Sequence, residues 1–251
     1  MEQGIPTLRA SLSRIDRADG GFVLRCDGAP PTAIRARFVV DATGPRAAVA
    51  RALGAKHRFL DRLVVVSGFF DATDTRDPSQ LTLLEADPEG WWYSAALPQA
   101  RCVAAFASDP DLIRREQLGT PRPFLARIGR TKHLRRRLQG CRPLPSDLLV
   151  RSAPSALLDP AAGGDWLAVG DAASMYDPLS AQGIYKALSD GLRAADALAG
   201  GPAALAGYAA AVAESFEDFR TNRAYFYGLV DRWPQSAFWR RRREHQPTVG
   251  S

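Results

Sequence analysis

The chain has 251 residues, of which 46% are hydrophobic, 24% charged and 9% aromatic. This composition is typical of a globular protein and excludes a disordered, collagen-like or disulfide-scaffold chain. The net charge of +6 comes mainly from scattered arginines, which argues against nucleic-acid binding. The runs Arg135–Arg137 and Arg240–Arg243 are expected to form a solvated helix face and a terminal tail, with a phosphate-binding patch as the alternative.

Membrane, export and metal signals are missing from the sequence. No apolar run reaches the roughly 20 residues that a membrane-spanning helix needs, and the N-terminus lacks the residue order of a signal peptide. Cys26, Cys102 and Cys141 are far apart and form no C-x-x-C pair, which indicates neither a disulfide framework nor a zinc site. We therefore expect a cytoplasmic protein without a bound metal.

The first sixty residues show strand patterns followed by a short helix. Alternating apolar residues from Pro6 to Cys26, interrupted at Asp19–Gly21, predict a β-hairpin. The continuous apolar run Phe38–Val40 predicts a strand covered on both faces, as in a parallel sheet. The sequence Asp-Ala-Thr-Gly follows it, and a helix is expected over 47–53.

The middle of the chain is rich in strand formers. Four segments between Leu63 and Asp109 predict an antiparallel sheet: LVVVSGFFDA, QLTLLEA, GWWYSAALP and RCVAAFAS. Short helices are expected between Pro110 and Gly140, with Asp109 or Thr120 as N-caps. Strand character returns at 148–150.

The last third combines a buried strand with helices. The run Trp166–Val169 predicts a buried strand that ends at a site. A helix is expected to begin near 179–183. Ile184, Leu188 and Leu192 recur there at helical spacing beside a stripe of small residues, which predicts close packing on a sheet.

A second helix is predicted over 203–230. Five apolar residues share one of its faces: Leu205, Tyr208, Val212, Phe216 and Phe219. The remaining tail is expected to be an aromatic-anchored extension that frays at its end.

The segment at 166–195 carries the most informative motif. The strand ends in Gly170-Asp171, which places a carboxylate at the carboxyl edge of a sheet, where ligands of open α/β folds bind. Small residues after it let a ligand approach the backbone, and Gly183 leaves the first amides of the next helix accessible. Taken alone, the tetrapeptide GDAA is equally typical of a plain strand-to-helix turn with Asp171 as N-cap.

This segment resembles the second FAD-binding motif of the flavoprotein superfamily that contains geranylgeranyl reductases, flavin-dependent halogenases and aromatic hydroxylases. The segment RARFVVDATGP at 35–45 resembles the strand-plus-ATG motif of the same superfamily. The resemblance implies FAD as the cofactor, with Asp171 accepting a hydrogen bond from a ribityl hydroxyl. The other cofactor-binding residues that it implies are Thr43, Gly44, Gly170, Ala172, Asp177, Pro178, Leu179, Gly183 and Ile184.

The resemblance also implies a fold. We expect a mixed α/β chain that forms the C-terminal portion of a glutathione-reductase-type FAD-binding fold, with an antiparallel substrate-domain sheet and C-terminal helices. The expected divisions are a partial FAD-binding domain at 1–60, the substrate domain at 61–147, the second FAD motif with its helix at 148–200, and a C-terminal helix and tail at 201–251.

The segment GWWYSAALP is a candidate substrate wall. Trp91, Trp92 and Tyr93 are expected either in the core or lining a substrate cavity. The segment resembles the halogenases' W-x-W-x-I-P motif in position, but the two tryptophans of that motif fall on Tyr93 and Ala95 here. This departure argues against halogenation. The same sheet and the tail resemble halogenase-like flavoproteins that assist maturation of quinone-containing amino-acid oxidases.

Members of the superfamily open with a G-x-G-x-x-G unit that holds the FAD pyrophosphate, and this sequence has no such motif. Two hypotheses follow. The chain is part of an FAD-dependent oxidoreductase whose glycine unit lies upstream or on another chain, acting on a small-molecule or protein-bound substrate with electrons from a reductase or nicotinamide cofactor. Alternatively, it is a flavin-free remnant or an assembly factor that binds a partner protein. No catalytic acid or base is identified, and Lys186 is expected to be solvated or near a phosphate.

Overall fold

The computed structural model describes residues 4–18, 20–28, 32–75, 80–144 and 148–244. They fall into two units. The first contains the described residues up to Arg58, then Ala156–Met175 and Ala181–Phe216. The second contains Phe59–Ser155, Tyr176–Ser180 and the described residues from Glu217 onward.

The secondary structure mixes short strands with helices, as expected. The strands are β1 (Ser11–Ala18), β2 (Gly21–Asp27), β3 (Thr32–Ala36), β4 (Val39–Asp41), β5 (Lys56–Phe59), β6 (Val64–Asp71), β7 (Leu83–Asp87), β8 (Gly90–Leu97), β9 (Arg101–Ser108), β10 (Arg142–Pro143), β11 (Leu149–Ser152), β12 (Ala156–Asp159), β13 (Trp166–Ala168) and β14 (Ser174–Met175). The helices are α1 (Ala48–Ala52), α2 (Pro110–Arg115), α3 (Pro121–Ile128), α4 (His133–Arg137), α5 (Gly183–Gly228) and α6 (Ala237–Glu244).

The first unit contains the predicted hairpin and a parallel strand pair. Strands β1 and β2 pair antiparallel, and β3, which the sequence pattern does not predict, adds to β2. Asp19 of the hairpin loop lies outside the described residues. Strand β4 runs parallel to β13, with Val40 beside Leu167, as predicted. The expectation that this strand is covered on both faces is wrong, since Val40 is 42% exposed. Another sheet has the order β14-β12-β5.

The second unit is built on the predicted antiparallel sheet, whose strand order is β10-β6-β9-β8-β7, with β11 also paired to β6. Trp92 on β8 lies opposite Phe106 on β9, and both side chains are fully buried. Phe124 of α3 packs edge-on against Trp92, with ring centroids 5.3 Å apart. Large aromatic rings therefore join the sheet to its helical layer.

Helix α5 is interrupted where the sequence predicts the boundary between two helices. Gly201 has a left-handed φ of 76°, and Pro202 follows it. The predicted apolar face beyond the break is confirmed, since all five of its residues are at most 7% exposed: Leu205, Tyr208, Val212, Phe216 and Phe219.

The first half of α5 is oriented differently from the prediction. Its inward face carries Lys186 and Asp190, which are 5% and 1% exposed. Asp190 faces inward because its carboxylate accepts a hydrogen bond from the backbone amide of Gly170. The three apolar residues expected to pack on a sheet are exposed instead, by 82%, 69% and 72% respectively: Ile184, Leu188 and Leu192. The prediction that this side of the helix packs closely on a sheet is therefore wrong within the described residues.

The C-terminal segment forms helix α6, and the fraying expected at its end falls on 245–251, which lie outside the described residues. In α6, Phe238 and Trp239 are buried and anchor the helix, and Arg242 is only 4% exposed. Arg137 of the other basic run is 7% exposed because its guanidinium donates to the carbonyl of Leu81. The expectation that both basic runs are fully solvated is wrong at these two arginines. No helix in the described ranges is long and apolar enough to cross a membrane.

Candidate functional site

A cavity of about 590 Å³ in the first unit brings the two sequence motifs together. It lies where β4 and β13 end and α5 begins. Its lining combines small residues, one carboxylate and two large apolar side chains: Ala42, Gly44, Val169, Gly170, Asp171, Gly183, Ile184, Ala187 and Leu188. We call this cavity the cleft.

The loop that carries Gly44 is fixed by Asp41, which the sequence reasoning did not select. The fully buried Asp41 carboxylate accepts hydrogen bonds from the Thr43 amide at 2.9 Å, the Thr43 hydroxyl at 2.7 Å and the Ala50 amide at 2.8 Å. The Thr43 hydroxyl also accepts from the Ala48 amide. The Thr43 side chain therefore shapes the loop, and its expected place beside the cofactor stays a prediction.

The second loop is held from beneath by Asp190. Gly170 has a left-handed φ of 57°, and its amide donates to Asp190 Oδ2 at 3.1 Å. The same carboxylate forms ion pairs with Arg193 at 2.7 Å and with Lys186 at 3.5 Å. Burial lowers the pKa of Lys186, while the negative charges of Asp190 and Asp171 act in the opposite direction. The expectation of a solvated Lys186 is wrong.

Asp171 differs from the buried carboxylates Asp41 and Asp190 because it faces outward. It is exposed and forms no hydrogen bond with any described residue, although it lines the cleft. The next residue, Ala172, is fully buried in the hydrophobic core. The Ala172 side chain thus supports the loop from the core, and its expected cofactor contact stays a prediction.

The cleft fits the flavin group that the motifs imply. A ribityl chain needs hydrogen-bond acceptors, and Asp171 supplies two carboxylate oxygens. An added Cβ at Gly44 or Gly183 meets no atom within 4 Å, so the backbone is open to a ligand at both glycines. Ile184 and Leu188 provide apolar surface for a flat ring.

The segment Asp177–Leu179 belongs to the second unit and does not line the cleft. Asp177 is 1% exposed and accepts hydrogen bonds from Arg223 Nε at 3.1 Å, the Tyr227 hydroxyl at 2.8 Å and the Leu179 amide at 3.0 Å. Both of its carboxylate oxygens accept hydrogen bonds from groups of the protein. Asp177 therefore fixes the turn at Pro178, and its expected contact with the cofactor stays a prediction.

The three aromatic residues of β8 lie mainly in the interior. Trp92 is fully buried and donates to Asp87 Oδ2 at 3.2 Å. Trp91 is 5% exposed and donates to the Tyr227 hydroxyl at 2.9 Å. Tyr93 is half-buried. For Trp91 and Trp92 the structure favours the core alternative over a substrate wall.

The cysteines and metal-binding residue types form no further site that the structure describes. All three cysteines are free thiols. Burial and the adjacent Cys141 raise the pKa of the Cys102 thiol to about 12, so this thiol is protonated at neutral pH. Within the described ranges, no three His, Cys, Asp or Glu residues form a group that could hold a metal ion.

Comparison with solved structures identifies the fold. CmlS, a flavin-dependent halogenase, superposes with a TM-score of 0.83 at 21% identity, covering 96% of this chain and 46% of CmlS. The peptidyl tryptophan dihydroxylase QhpG matches with a TM-score of 0.69 at 22% identity, covering 97% of this chain and 56% of QhpG. The expected fold is confirmed by these matches.

Sequence comparison gives the same result. LodB of Marinomonas mediterranea, described as an FAD-dependent oxidoreductase, is 27% identical over 206 residues, which is 82% of this chain and 56% of LodB. The chain thus spans about half the length of these relatives. The family model named Tryptophan halogenase matches residues 1–249. The chain therefore belongs to the tryptophan halogenase family of flavin-dependent proteins.

Proposed function

We propose that this chain is the part of an FAD-dependent oxidoreductase that holds the ribityl chain and ring of the flavin in the cleft of the first unit. FAD is the cofactor that membership of the family implies. When bound, it supplies the electron-transfer chemistry, which no amino-acid side chain provides. The protein's contribution is to bind, orient and desolvate that group.

The observation that carries the proposal is the contrast between Asp171 and Asp190. The carboxylate of Asp190 binds Gly170, Lys186 and Arg193, whereas Asp171 forms no hydrogen bond or ion pair with any described residue. The buried carboxylate of Asp190 holds the loop that carries the exposed carboxylate of Asp171. Asp171 is therefore pre-organised to accept a hydrogen bond from a hydroxyl group of a ligand. Such pre-organisation supports a binding role over the plain turn that GDAA also allows.

The remaining lining residues have distinct tasks in this proposal. The open backbone at Gly44 and Gly183 admits the cofactor close to the main chain. The beginning of α5 at Gly183 directs partial positive charge toward the cleft, which stabilises negative charge on a bound group. Ile184 and Leu188 exclude water from the ring that they cover.

We propose oxygenation in preference to halogenation as the reaction. The aligned tryptophan positions of the halogenases' W-x-W-x-I-P motif are Tyr93 and Ala95 in this chain. The fold-related QhpG is a peptidyl tryptophan dihydroxylase, which supports a protein-bound aromatic residue as the class of substrate. Electrons would come from a reductase or a nicotinamide cofactor.

Flavin binding by Asp171 variants tests the proposal. FAD is titrated into the purified chain, and quenching of flavin fluorescence gives the Kd. We expect Asp171→Ala to weaken binding roughly 10- to 100-fold, because a hydrogen bond to a charged acceptor is worth about 1.5–3 kcal/mol. Asp196→Ala is the matched control, since Asp196 is an exposed aspartate of α5 outside the cleft. Equal affinities for the two variants would reject the assignment.

A second candidate function is binding of a protein partner without flavin. The observation in its favour is the exposed apolar stripe on α5, formed by Ile184, Leu188 and Leu192. Within the described residues, β4 pairs with β13 alone, which leaves its other edge unpaired, and Val40 is 42% exposed on one face of the pair. A segment that supplies a strand and an apolar helix face fits this surface.

The same titration separates the two candidates. If the chain is a flavin protein, added FAD is quenched and Asp171→Ala reduces the quenching. If it only binds a partner, FAD fluorescence stays unchanged for the wild type and for both variants. The second outcome, in protein whose circular dichroism shows a folded state, contradicts the proposed oxidoreductase function.

A further inference from the structure

The second unit contains a cavity of about 600 Å³ whose lining is dominated by charged side chains. Its three acidic lining residues are Asp61, Asp109 and Asp111. Its five arginines are Arg62, Arg114, Arg223, Arg241 and Arg242. The lining therefore carries two more positive than negative charges, and we call it the arginine cavity.

The three carboxylates of the arginine cavity are already paired. Asp109 accepts from Arg241 at 2.8 Å and from Arg242 at 2.9 Å, and Asp111 accepts from Arg241 at 2.8 Å. Asp61 accepts from Arg223 Nη2 at 2.8 Å. These pairs hold three arginines in place and neutralise the acidic groups, so the carboxylates do not repel an anion as free charges do.

The excess positive charge is located on Arg62 and Arg114. Both are exposed, and neither forms a hydrogen bond or an ion pair with any described residue. Their backbone positions are nevertheless fixed, because Leu63 and Ile113 beside them are buried in the core. Two guanidinium groups with unused donors thus border one cavity from anchored positions, a setting suited to a carboxylate or phosphate oxygen.

Two arginines of the arginine cavity, Arg223 and Arg242, stack on aromatic rings. Arg242 is 4% exposed and lies over the Phe238 ring, with its guanidinium carbon 3.5 Å from the ring centroid. Its buried Nε has no acceptor among the described residues. Arg223 stacks on Tyr227 at 4.7 Å. Aromatic stacking and burial pre-organise these cations and strengthen their field within the cavity.

We infer that the arginine cavity is a binding site for a small-molecule ligand that carries a doubly charged oxyanion, either a phosphoryl group or a pair of carboxylates. Arg62 and Arg114, the two lining arginines without an ion pair to any described residue, match a dianion in charge, and their planar forks match its oxygens. A volume of about 600 Å³ exceeds what inorganic phosphate fills, so the oxyanion is one part of a larger ligand. The site lies wholly in the second unit and does not depend on the flavin cleft.

Calorimetric titration of the purified chain with inorganic phosphate and, separately, with succinate tests this inference. At low salt, about 50 mM, where screening is weak, we expect saturable binding of one probe with a Kd below about 1 mM. Preference for phosphate identifies a phosphoryl ligand, and preference for succinate identifies a dicarboxylate. Absence of saturable binding by both probes overturns the inference.

Paired variants separate a built site from general attraction to a basic protein. We expect the double variant Arg62→Ala and Arg114→Ala to bind the preferred probe at least roughly tenfold more weakly. The control, Arg9→Ala and Arg35→Ala, removes the same charge from exposed positions of the first unit and is expected to stay within about twofold. Equal losses in the two double variants, with circular dichroism showing both folded, contradict the inference.

The lysine variants test the fork geometry. Replacing Arg62 and Arg114 by lysine keeps the charge and removes the bidentate donors, so we expect an affinity between those of the wild type and the alanine variant. An affinity equal to that of the alanine variant keeps the assignment to these two guanidinium groups. Full wild-type affinity overturns the part of the inference that rests on the forks.

Discussion

The backbone amide of Gly170 donates a hydrogen bond to the buried carboxylate of Asp190, 20 residues further along the chain. The bond connects the loop that presents Asp171 to the inward face of α5. It also explains why this face is charged, since Lys186 and Arg193 gather around the same carboxylate. One acidic residue thus sets both the loop conformation and the rotation of the helix.

Asp190→Asn is therefore expected to destabilise the first unit strongly. Asparagine can still accept from Gly170, but it leaves the ammonium group of Lys186 buried without its ion-pair partner. Removing one partner of a buried pair costs about 3–5 kcal/mol. Chemical denaturation followed by circular dichroism measures the loss, and Asp196→Asn, exposed on the same helix, is expected to change the free energy of unfolding by less than about 0.5 kcal/mol. Similar losses in both variants would contradict the assigned role of Asp190.

Lys186→Met is expected to behave in the opposite way. Burial lowers the pKa of Lys186 below the unfolded value of 10.5 despite the ion pair, so the charged form is disfavoured in the folded state. Methionine removes that cost, and Asp190 keeps its ion pair with Arg193 and its hydrogen bond from Gly170, so no buried charge is left without a partner. We expect a free energy of unfolding at pH 7 that is equal to or higher than that of the wild type.

The pH dependence of Lys186→Met follows from the sign of the pKa shift. Between the folded and unfolded pKa values the unfolded state binds more protons, so the contribution of Lys186 to wild-type stability becomes less unfavourable as the pH rises. The advantage of the methionine variant should shrink towards pH 10.5. Urea denaturation at several pH values measures it against Lys56→Met, a control at an exposed lysine. A difference that grows with pH would refute the assigned shift.

Tyr227 is expected to be a stability-determining residue of the second unit. Its hydroxyl donates to Asp177 at 2.8 Å and accepts from Trp91 Nε1 at 2.9 Å, all within the protein interior. Tyr227→Phe leaves the indole donor and one carboxylate lone pair unsatisfied, at a cost of about 1–3 kcal/mol. Denaturation in guanidinium chloride, with Tyr225→Phe at a 64% exposed position as control, provides the measurement. A loss no larger than that of the control would disprove the role.

The resemblance to the flavoprotein motifs predicted part of the cleft from the sequence. Five of the residues that it selected line one cavity: Gly44, Gly170, Asp171, Gly183 and Ile184. Thr43 and Ala172 belong to the same motifs but serve the loops internally. The motif resemblance could not separate these two groups, because both are needed to form the same turn.

Long-range polar contacts explain what the sequence could not reveal. The sequence does not distinguish Asp190 and Asp41 from other acidic residues. The fold places a backbone amide beside each carboxylate. Arg242 stands in a basic run that resembles a solvated surface, yet Asp109 and the Phe238 ring bury it. Helical periodicity correctly placed Ile184, Leu188 and Leu192 on one face of α5. Periodicity does not show whether such a face is buried, and here the face is exposed.

The exposed stripe of α5 leads to a prediction about folding. Leu192 is 72% exposed and lies outside the cleft, whereas Leu205 is 5% exposed in the hydrophobic core of the same unit. Leu192→Glu is expected to change the free energy of unfolding by less than about 0.5 kcal/mol, while Leu205→Glu, which buries a charge, is expected to cost at least about 3 kcal/mol. Urea denaturation compares the two variants. If Leu192→Glu is as destabilising as Leu205→Glu, the stripe of Ile184, Leu188 and Leu192 is covered in the isolated chain. If Leu192→Glu is neutral, this stripe is a surface and not part of the core.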